Sequence, residues 1–101
     1  KVDVRRVVEE NYTSPISIKE LAYLSGRSLS SFKRDFQSIY GVSPAKWIRE
    51  KRLSKARQML LSSQMSVADV AYSLGFENPT HFSRIFKQQY GASPSTFGNR
   101  Q

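Results

Sequence analysis

Residues 17–26 read Ser-Ile-Lys-Glu-Leu-Ala-Tyr-Leu-Ser-Gly, and residues 66–75 read Ser-Val-Ala-Asp-Val-Ala-Tyr-Ser-Leu-Gly. The likeness continues past each glycine at further pairs of matching positions, which are Phe32 and Phe82, Phe36 and Phe86, Tyr40 and Tyr90, Gly41 and Gly91, Ser43 and Ser93, and Pro44 and Pro94. The two copies are offset by 49 residues before the glycine and by 50 after it, so the second copy has one extra residue in its turn. The chain therefore contains an internal repeat, whose architecture has to be identified first.

Each copy has the sequence pattern of a helix-turn-helix. A serine opens each short helix and an acidic residue follows three positions later, which is the pattern of a capping box. The pairs are Ser17 with Glu20 and Ser66 with Asp69, and they predict short helices over about 17–25 and 66–74. A glycine follows each short helix and permits the left-handed conformation that ends a helix in a tight turn. A short helix, such a turn and a longer helix form a helix-turn-helix.

The remaining elements are also predicted to be helices. Ser28 and Asn78 are favoured N-cap residues for the two longer helices, which end at the glycines that follow Tyr40 and Tyr90. A first helix ends near Tyr12, and the Ser-Pro pairs after the longer helices open two more. We therefore divide the chain into a first helix-turn-helix unit over 1–43, a joining helix over 44–62 and a second unit over 63–101.

The charge of the chain favours a polyanionic partner. Its 101 residues carry a net charge of +8 and suit one domain, or two very small ones sharing a core. Between Arg27 and Arg57 there are nine basic residues and two acidic ones, and such a tract indicates polyanion binding, although a solubilised helical surface has a similar composition.

The absence of cysteine excludes a disulfide scaffold and a thiolate zinc site. The chain begins with Lys1, and we expect it to be a fragment of a longer protein.

The two longer helices each predict a buried aromatic stripe and an opposite polar face. In the first of them, aromatic and aliphatic residues recur at i, i+4, i+7 and i+8, which is typical of a helix with one buried side. The polar faces supply the candidate base contacts, which are Ser30, Lys33, Arg34 and Gln37 in the first copy and Thr80, His81, Ser83 and Arg84 in the second. Arg34 and Arg84 occupy matching places, and an arginine side chain suits guanine O6 and N7 and a phosphate equally well. Lys46, Arg49 and Lys87 are the candidates for phosphate contacts.

Other notable residues have a structural explanation. We expect the phenylalanine stripes, Trp47 and Phe97 to pack in the core rather than to stack on bases. His81 has no second histidine or cysteine with which to share a metal ion, so no metal site is predicted. Arg52 and Arg57 are expected to pair with neighbouring acids. No catalytic constellation is found, so the sequence predicts neither an enzyme nor a cofactor.

The chain resembles the DNA-binding domain of the AraC/XylS family of bacterial transcription regulators. The resemblance lies in residues 67–76, in His81-Phe82-Ser83-Arg84-Ile85-Phe86-Lys87, in residues 90–94 and, for the joining helix, in Arg52-Leu53 and residues 56–61. It implies an all-α fold of about seven helices, with two helix-turn-helix units joined by a long central helix. It also places recognition positions on Ser30, Lys33 and Arg34 and on Thr80, His81 and Arg84. After Phe97 the chain has Gly98 where the family often continues the last helix, which implies a short last helix.

These features lead to one principal interpretation and one alternative. The principal one is a cytoplasmic bacterial transcription regulator, an activator, whose two units bind successive major-groove segments of double-stranded DNA about 34 Å apart. Because the two polar faces differ, one chain should bind an asymmetric site. RNA polymerase is a candidate partner, an effector or dimerisation domain is expected outside these residues, and no membrane partner is expected. The alternative is a basic helical module that docks an acidic protein.

Overall fold

The computed structural model describes residues 2–97 and shows only α-helices in that part of the chain. Their bounds are α1 Val4–Asn11, α2 Ile18–Leu24, α3 Leu29–Tyr40, α4 Pro44–Ser62, α5 Val67–Ser73, α6 Pro79–Tyr90 and α7 Pro94–Phe97. The expected all-α fold with two helix-turn-helix units is confirmed, and α2–α3 and α5–α6 are the two copies. α7 is four residues long. Gly98, at which the resemblance implied an early end to this helix, lies outside the described residues.

The chain forms two compact units, which divide inside α4 between Lys51 and Arg52. The first half of α4, residues 44–51, belongs to the first unit together with α1, α2 and α3. The second half, residues 52–62, belongs to the second unit together with α5, α6 and α7. Each half of the joining helix therefore supplies buried side chains to its own unit, Ile48 in the first and Leu53, Ala56 and Leu60 in the second.

The core of the first unit is built around two phenylalanines of α3. Phe32 and Phe36 are fully buried and pack with valines of α1 and with Leu21 and Ala22 of α2. Trp47 of α4 meets the ring of Phe36 edge-on, with the centroids 5.9 Å apart. The expected role of the aromatic stripe and of Trp47 in packing is thereby confirmed.

The core of the second unit repeats this arrangement around Phe82 and Phe86 of α6. Both rings are fully buried, and they pack with Val70, Ala71 and Leu74. Phe97 of α7 meets Phe86 edge-on at 5.3 Å between centroids, as Trp47 meets the matching ring in the first unit. The fold of each unit therefore follows from the shared apolar positions of the repeat.

The turn between the two helices of each unit is closed by the same backbone hydrogen bonds. Gly26 and Gly75 have φ angles of 74° and 91°, in the left-handed region that L side chains rarely adopt. The next backbone N–H, that of Arg27 or of Phe76, donates to an alanine carbonyl of the short helix at 3.0 Å. Arg27 and Phe76 are therefore structural equivalents, and Glu77 is the extra residue of the second turn.

The expected capping boxes differ between the units. The Ser17 hydroxyl accepts from the Glu20 N–H at 3.0 Å, and the Glu20 carboxylate accepts from the Ser17 N–H at 2.8 Å. In the second unit the Ser66 hydroxyl accepts from the Asp69 N–H at 3.0 Å, but the described residues show no return bond to the Asp69 carboxylate. The prediction of a second full box is therefore wrong, because the aspartate side chain is one methylene shorter and does not reach back.

Candidate nucleic-acid interface

The polar face of α3 is exposed along its whole length. The Ser28 hydroxyl caps the helix by accepting from the Ser31 N–H at 3.2 Å. Because Phe32 and Phe36 fix one side of the helix in the core, the opposite side must face solvent. All four predicted residues of this face, Ser30, Lys33, Arg34 and Gln37, are exposed.

The polar face of α6 is formed in the same way, with one difference. The Asn78 side chain accepts from the N–H groups of Thr80 and His81, at 2.9 and 3.2 Å. The predicted residues Thr80, His81, Arg84 and Lys87 are exposed. Ser83 is partly exposed, less than the other predicted residues of this face. The equivalent Lys33 is exposed because a lysine stem is long enough to carry its charge past the edge of the buried stripe, whereas a serine is not.

Each candidate recognition arginine contacts the residue three positions before it. In α6, Arg84 Nη2 lies 3.0 Å from His81 Nδ1. In α3, Arg34 Nη2 lies 3.5 Å from the Ser31 hydroxyl, which is the equivalent place. When His81 Nδ1 accepts from Arg84, the ring proton is on Nε2 and the ring offers a donor there. These contacts were not predicted from the sequence, although residues three apart on a helix lie on one side of it.

A second feature of the first unit was not identified from the sequence. Asp35, which follows Arg34, is about one-third exposed and lies between two guanidinium groups. Its Oδ2 accepts from Arg27 Nε at 2.8 Å, and its Oδ1 lies 3.7 Å from Arg34 Nε. A carboxylate therefore borders the exposed face of α3, whereas the equivalent residue of α6 is Ile85.

Much of the basic tract between Arg27 and Arg57 is engaged in packing. The Arg52 guanidinium lies 6.0 Å from the Phe76 ring centroid, and its half-buried position lowers its pKa. The Arg57 guanidinium lies over the rings of Tyr90 and Phe97, at 5.5 and 5.7 Å. Both guanidinium groups therefore lie over aromatic rings, a contact that was not predicted from the sequence.

The predicted phosphate-contacting residues are exposed and lie on two different elements. Lys46 and Arg49 are in the first half of α4, whose N-terminus is capped by the Ser43 hydroxyl accepting from the Lys46 N–H at 3.3 Å. Lys87 lies in the last turn of α6. Within the first unit, exposed basic side chains are therefore present on α4 as well as on α3, and within the second unit on α6.

The described residues contain neither a group of acidic, histidine or cysteine side chains that could hold a metal ion nor a helix long and apolar enough to cross a membrane. The chemistry offered by the two exposed faces is hydrogen-bond donation and positive charge. Donors and cations on a helix that projects from a turn suit the acceptor-rich major groove and the phosphates beside it.

Comparison with known proteins identifies the family. A family described as a helix-turn-helix domain matches residues 17–100. The chain belongs to this family, of the AraC/XylS type. The virulence regulon transcriptional activator VirF of Yersinia enterocolitica is 35% identical over 92 residues, which are 91% of this chain and 34% of that protein. The regulator ExsA of Pseudomonas aeruginosa is 36% identical over 88 residues, 87% of this chain and 32% of that protein. The chain thus spans about a third of these relatives.

Solved structures agree with this assignment. The DNA-binding domain of AdpA, crystallised in complex with a target DNA, has a TM-score of 0.88 and 29% identity, and the match covers 96% of this chain and 90% of that one. A probable AraC family regulator from Rhodopseudomonas palustris has a TM-score of 0.74 and 32% identity, covering 93% and 89%. The family expected from the sequence is therefore confirmed, and this AraC/XylS-type domain belongs to a family of DNA-binding transcription regulators.

Proposed function

We propose that this AraC/XylS-type domain binds one asymmetric double-stranded DNA site, with α3 and α6 each inserted in the major groove of one half-site. The observation that carries the proposal is the pair of exposed, donor-rich faces on equivalent helices of two helix-turn-helix units. The complex of the similar AdpA domain with its target DNA supports it. Because the two faces hold different side chains, the half-sites should differ in sequence.

Arg34 and Arg84 are the proposed principal base readers. They occupy matching places on the two faces, are exposed, and present the planar guanidinium that bonds guanine O6 and N7. Ser30, Lys33 and Gln37 on α3 and Thr80, His81 and Ser83 on α6 are the proposed secondary contacts, with Ser83 restricted by its half-buried position. Lys46, Arg49 and Lys87 are proposed to bind phosphates and to set the position of each helix.

Selection of bound duplexes from a random pool, followed by binding measurements at fixed salt, tests this assignment. Arg34→Ala should relax the base preference in one half-site and Arg84→Ala in the other, each by about 1–3 kcal/mol of discrimination. Arg6→Ala is the matched control, since it removes the same charge from the exposed surface of α1. Equal weakening on all duplexes would mean that both arginines hold phosphate. Failure to prefer the selected duplex over a scrambled one would contradict the function and favour an acidic protein partner.

The proposed phosphate contacts have a separate signature. Lys46→Ala and Lys87→Ala should weaken binding to all duplexes to a similar extent and each lower the slope of log K against log salt by about 1. Lys55→Ala is a control for loss of charge on an exposed side chain of α4 that is not assigned to DNA. A change in base preference caused by Lys46→Ala or Lys87→Ala would contradict the phosphate assignment.

We also propose that the protein containing this domain activates transcription in the bacterial cytoplasm, with RNA polymerase as a partner and an effector or dimerisation domain outside these residues. The names of VirF and of the transcriptional activator NphR of Rhodococcus, which is 36% identical over 95 residues, support activation. A reporter gene placed downstream of the selected site tests it. Increased expression in the presence of the full-length protein is the expected result, and decreased expression would indicate a repressor.

A further inference from the structure

The first unit has a carboxylate beside its proposed base-reading arginine. Asp35 Oδ1 lies 3.7 Å from Arg34 Nε, at the margin of the exposed face of α3. In the second unit the equivalent residue is Ile85. A negative charge at the edge of a face that approaches phosphates opposes binding. The presence of Asp35 at this place therefore requires an explanation.

Asp35 is held in place by a largely buried arginine. Arg27 Nε donates to Asp35 Oδ2 at 2.8 Å, and the Arg27 side chain is only 14% exposed. Arg27 Nη1 also donates to the carbonyl of Val2 at 2.7 Å and to that of Ser25 at 3.2 Å. A guanidinium bonded to three acceptors has little freedom, and charge-assisted bonds of this length fix the direction of the carboxylate.

The helix-turn-helix itself does not need this ion pair. Phe76 is the structural equivalent of Arg27, since each donates its backbone N–H to the same position of the preceding short helix at 3.0 Å. The second unit thus has the apolar residues Phe76 and Ile85 where the first has Arg27 and Asp35. It forms the same two helices, and its turn, which is one residue longer, is closed by the same backbone hydrogen bond. Both residues of the ion pair are apolar in the second unit, which indicates that Arg27 and Asp35 act as a pair in the first.

We propose that Asp35, fixed by Arg27, is a positioning residue that orients the Arg34 guanidinium on the face of α3 and thereby sharpens the base preference of the first half-site. The inference rests on the proposed role of Arg34 in reading a base. An exposed arginine loses rotamer freedom when it binds, and a fixed carboxylate beside its Nε removes part of that freedom in advance. The other side of the guanidinium, Nη2, contacts the Ser31 hydroxyl at 3.5 Å. The two contacts together favour one orientation of the guanidinium, whose side chain is otherwise 73% exposed.

Asp35→Asn tests the positioning role in the whole chain. Binding constants are measured for duplexes that carry each of the four base pairs at the position whose preference Arg34→Ala removes. Asp35→Asn should lower the ratio between the best and worst base pair there by about threefold, the value expected when one side chain is no longer immobilised in advance. The preferences of the second half-site should stay as they are. In the Arg34→Ala background, Asp35→Asn should cause no further change in that ratio, although loss of the negative charge can strengthen binding to all duplexes alike.

Two further variants distinguish the positioning of Arg34 by Asp35 from a general effect of lost negative charge and from an effect on folding. Glu10→Gln removes the same charge from an exposed ion pair of α1, and it should leave the preference at the Arg34 position unchanged. The double variant Arg27→Phe with Asp35→Ile copies the apolar pair of the second unit, and it should retain the helical circular dichroism spectrum while losing preference as Asp35→Asn does. This variant decides the question if Asp35→Asn alone does not fold.

The results that overturn the proposal are distinct from those that overturn the DNA-binding function. If Arg34→Ala removes a base preference while Asp35→Asn and the double variant leave it intact, Asp35 is structural only and the function stands. If Arg34→Ala weakens binding to all duplexes equally, Arg34 holds phosphate, and both its base-reading role and the positioning role of Asp35 are wrong. If the parent chain prefers no duplex, the proposed function fails as well.

Discussion

At the scale of single residues, the two arginines proposed to read bases, Arg34 and Arg84, occupy equal positions in the repeat and have different surroundings. Arg84 contacts His81, whereas Arg34 lies between Ser31 and Asp35. The spacing of three residues is visible in the sequence, but the contact depends on which rotamers the guanidinium adopts. The sequence therefore predicted the positions of the arginines and could not predict the groups that orient them.

The hydroxyl of Tyr40 provides a direct test of a buried polar group. It is buried and has no hydrogen-bond partner among the described residues, and burial raises the pKa of this phenol. A buried donor without a partner costs about 1–3 kcal/mol, so Tyr40→Phe should raise the free energy of unfolding by about 1 kcal/mol. Urea denaturation followed by the fluorescence of Trp47, whose ring centroid is 4.8 Å from that of Tyr40, measures it. Lower stability of Tyr40→Phe would show that the hydroxyl makes a stabilising bond in solution.

Glu20 predicts a dependence of stability on pH. Its pKa is lowered first by the backbone N–H of Ser17 and then by the Ser17 hydroxyl, so the folded state favours the ionised carboxylate. A pKa lowered on folding stabilises the protein above the unfolded value of about 4.3, and this stabilisation is lost as pH falls through the folded pKa. The stability advantage of the parent over Glu20→Gln should therefore be largest at neutral pH and shrink below about pH 4. An equal difference at pH 7 and pH 3 in urea denaturation would contradict this.

At the scale of elements, α4 is the helix whose residues were least well predicted. Its basic residues belong to the tract that indicated polyanion binding, but part of their charge lies over the aromatic rings of the two units. Lys51 Nζ lies 5.5 Å from the Trp47 ring centroid, and Arg52 and Arg57 lie near rings of the second unit. Composition does not distinguish a cation that faces a phosphate from one that faces a ring. Only the direction of each side chain around the helix separates them.

Arg57 should stabilise the second unit through its contacts with Tyr90 and Phe97. Exposed cation–π contacts contribute about 0.5–1 kcal/mol each, so Arg57→Gln should lower the stability of this unit by about 1 kcal/mol. The one tryptophan of the sequence, Trp47, lies in the first unit, so its fluorescence does not report on the second. Hydrogen exchange of the α6 amides therefore measures the stability of the second unit. Lys55→Gln removes the same charge from an exposed residue of α4 and should have little effect. Equal changes in the two variants would mean that charge, and not stacking, is responsible.

At the scale of the whole chain, the repeat predicted the fold because both copies share the residues that build it. The phenylalanines, the helix-ending glycines and the capping serines are dictated by burial and by backbone geometry, so their roles could be inferred without coordinates. The candidate site was predicted less completely. Its residues were predicted from their positions on the exposed faces. The ion pair of Arg27 and Asp35 was not predicted, because it joins a residue of a turn to a residue of a helix and the spacing along one helix does not reveal such a contact.

The repeat also allows the specificity of the whole domain to be redesigned. Replacing the α3 face by the α6 face requires Ser30→Thr, Ser31→His, Lys33→Ser and Gln37→Lys, since Arg34 already matches Arg84. If the faces alone determine the bases that are bound, this variant should select duplexes that contain two copies of the second half-site. Selection from a random pool measures the result, and the reverse graft onto α6 should return two copies of the first half-site. Because the grafted α3 still has Asp35 beside Arg34, adding Asp35→Ile and Arg27→Phe should make its preference equal to that of α6. An unchanged selected site would show that specificity lies outside these two faces.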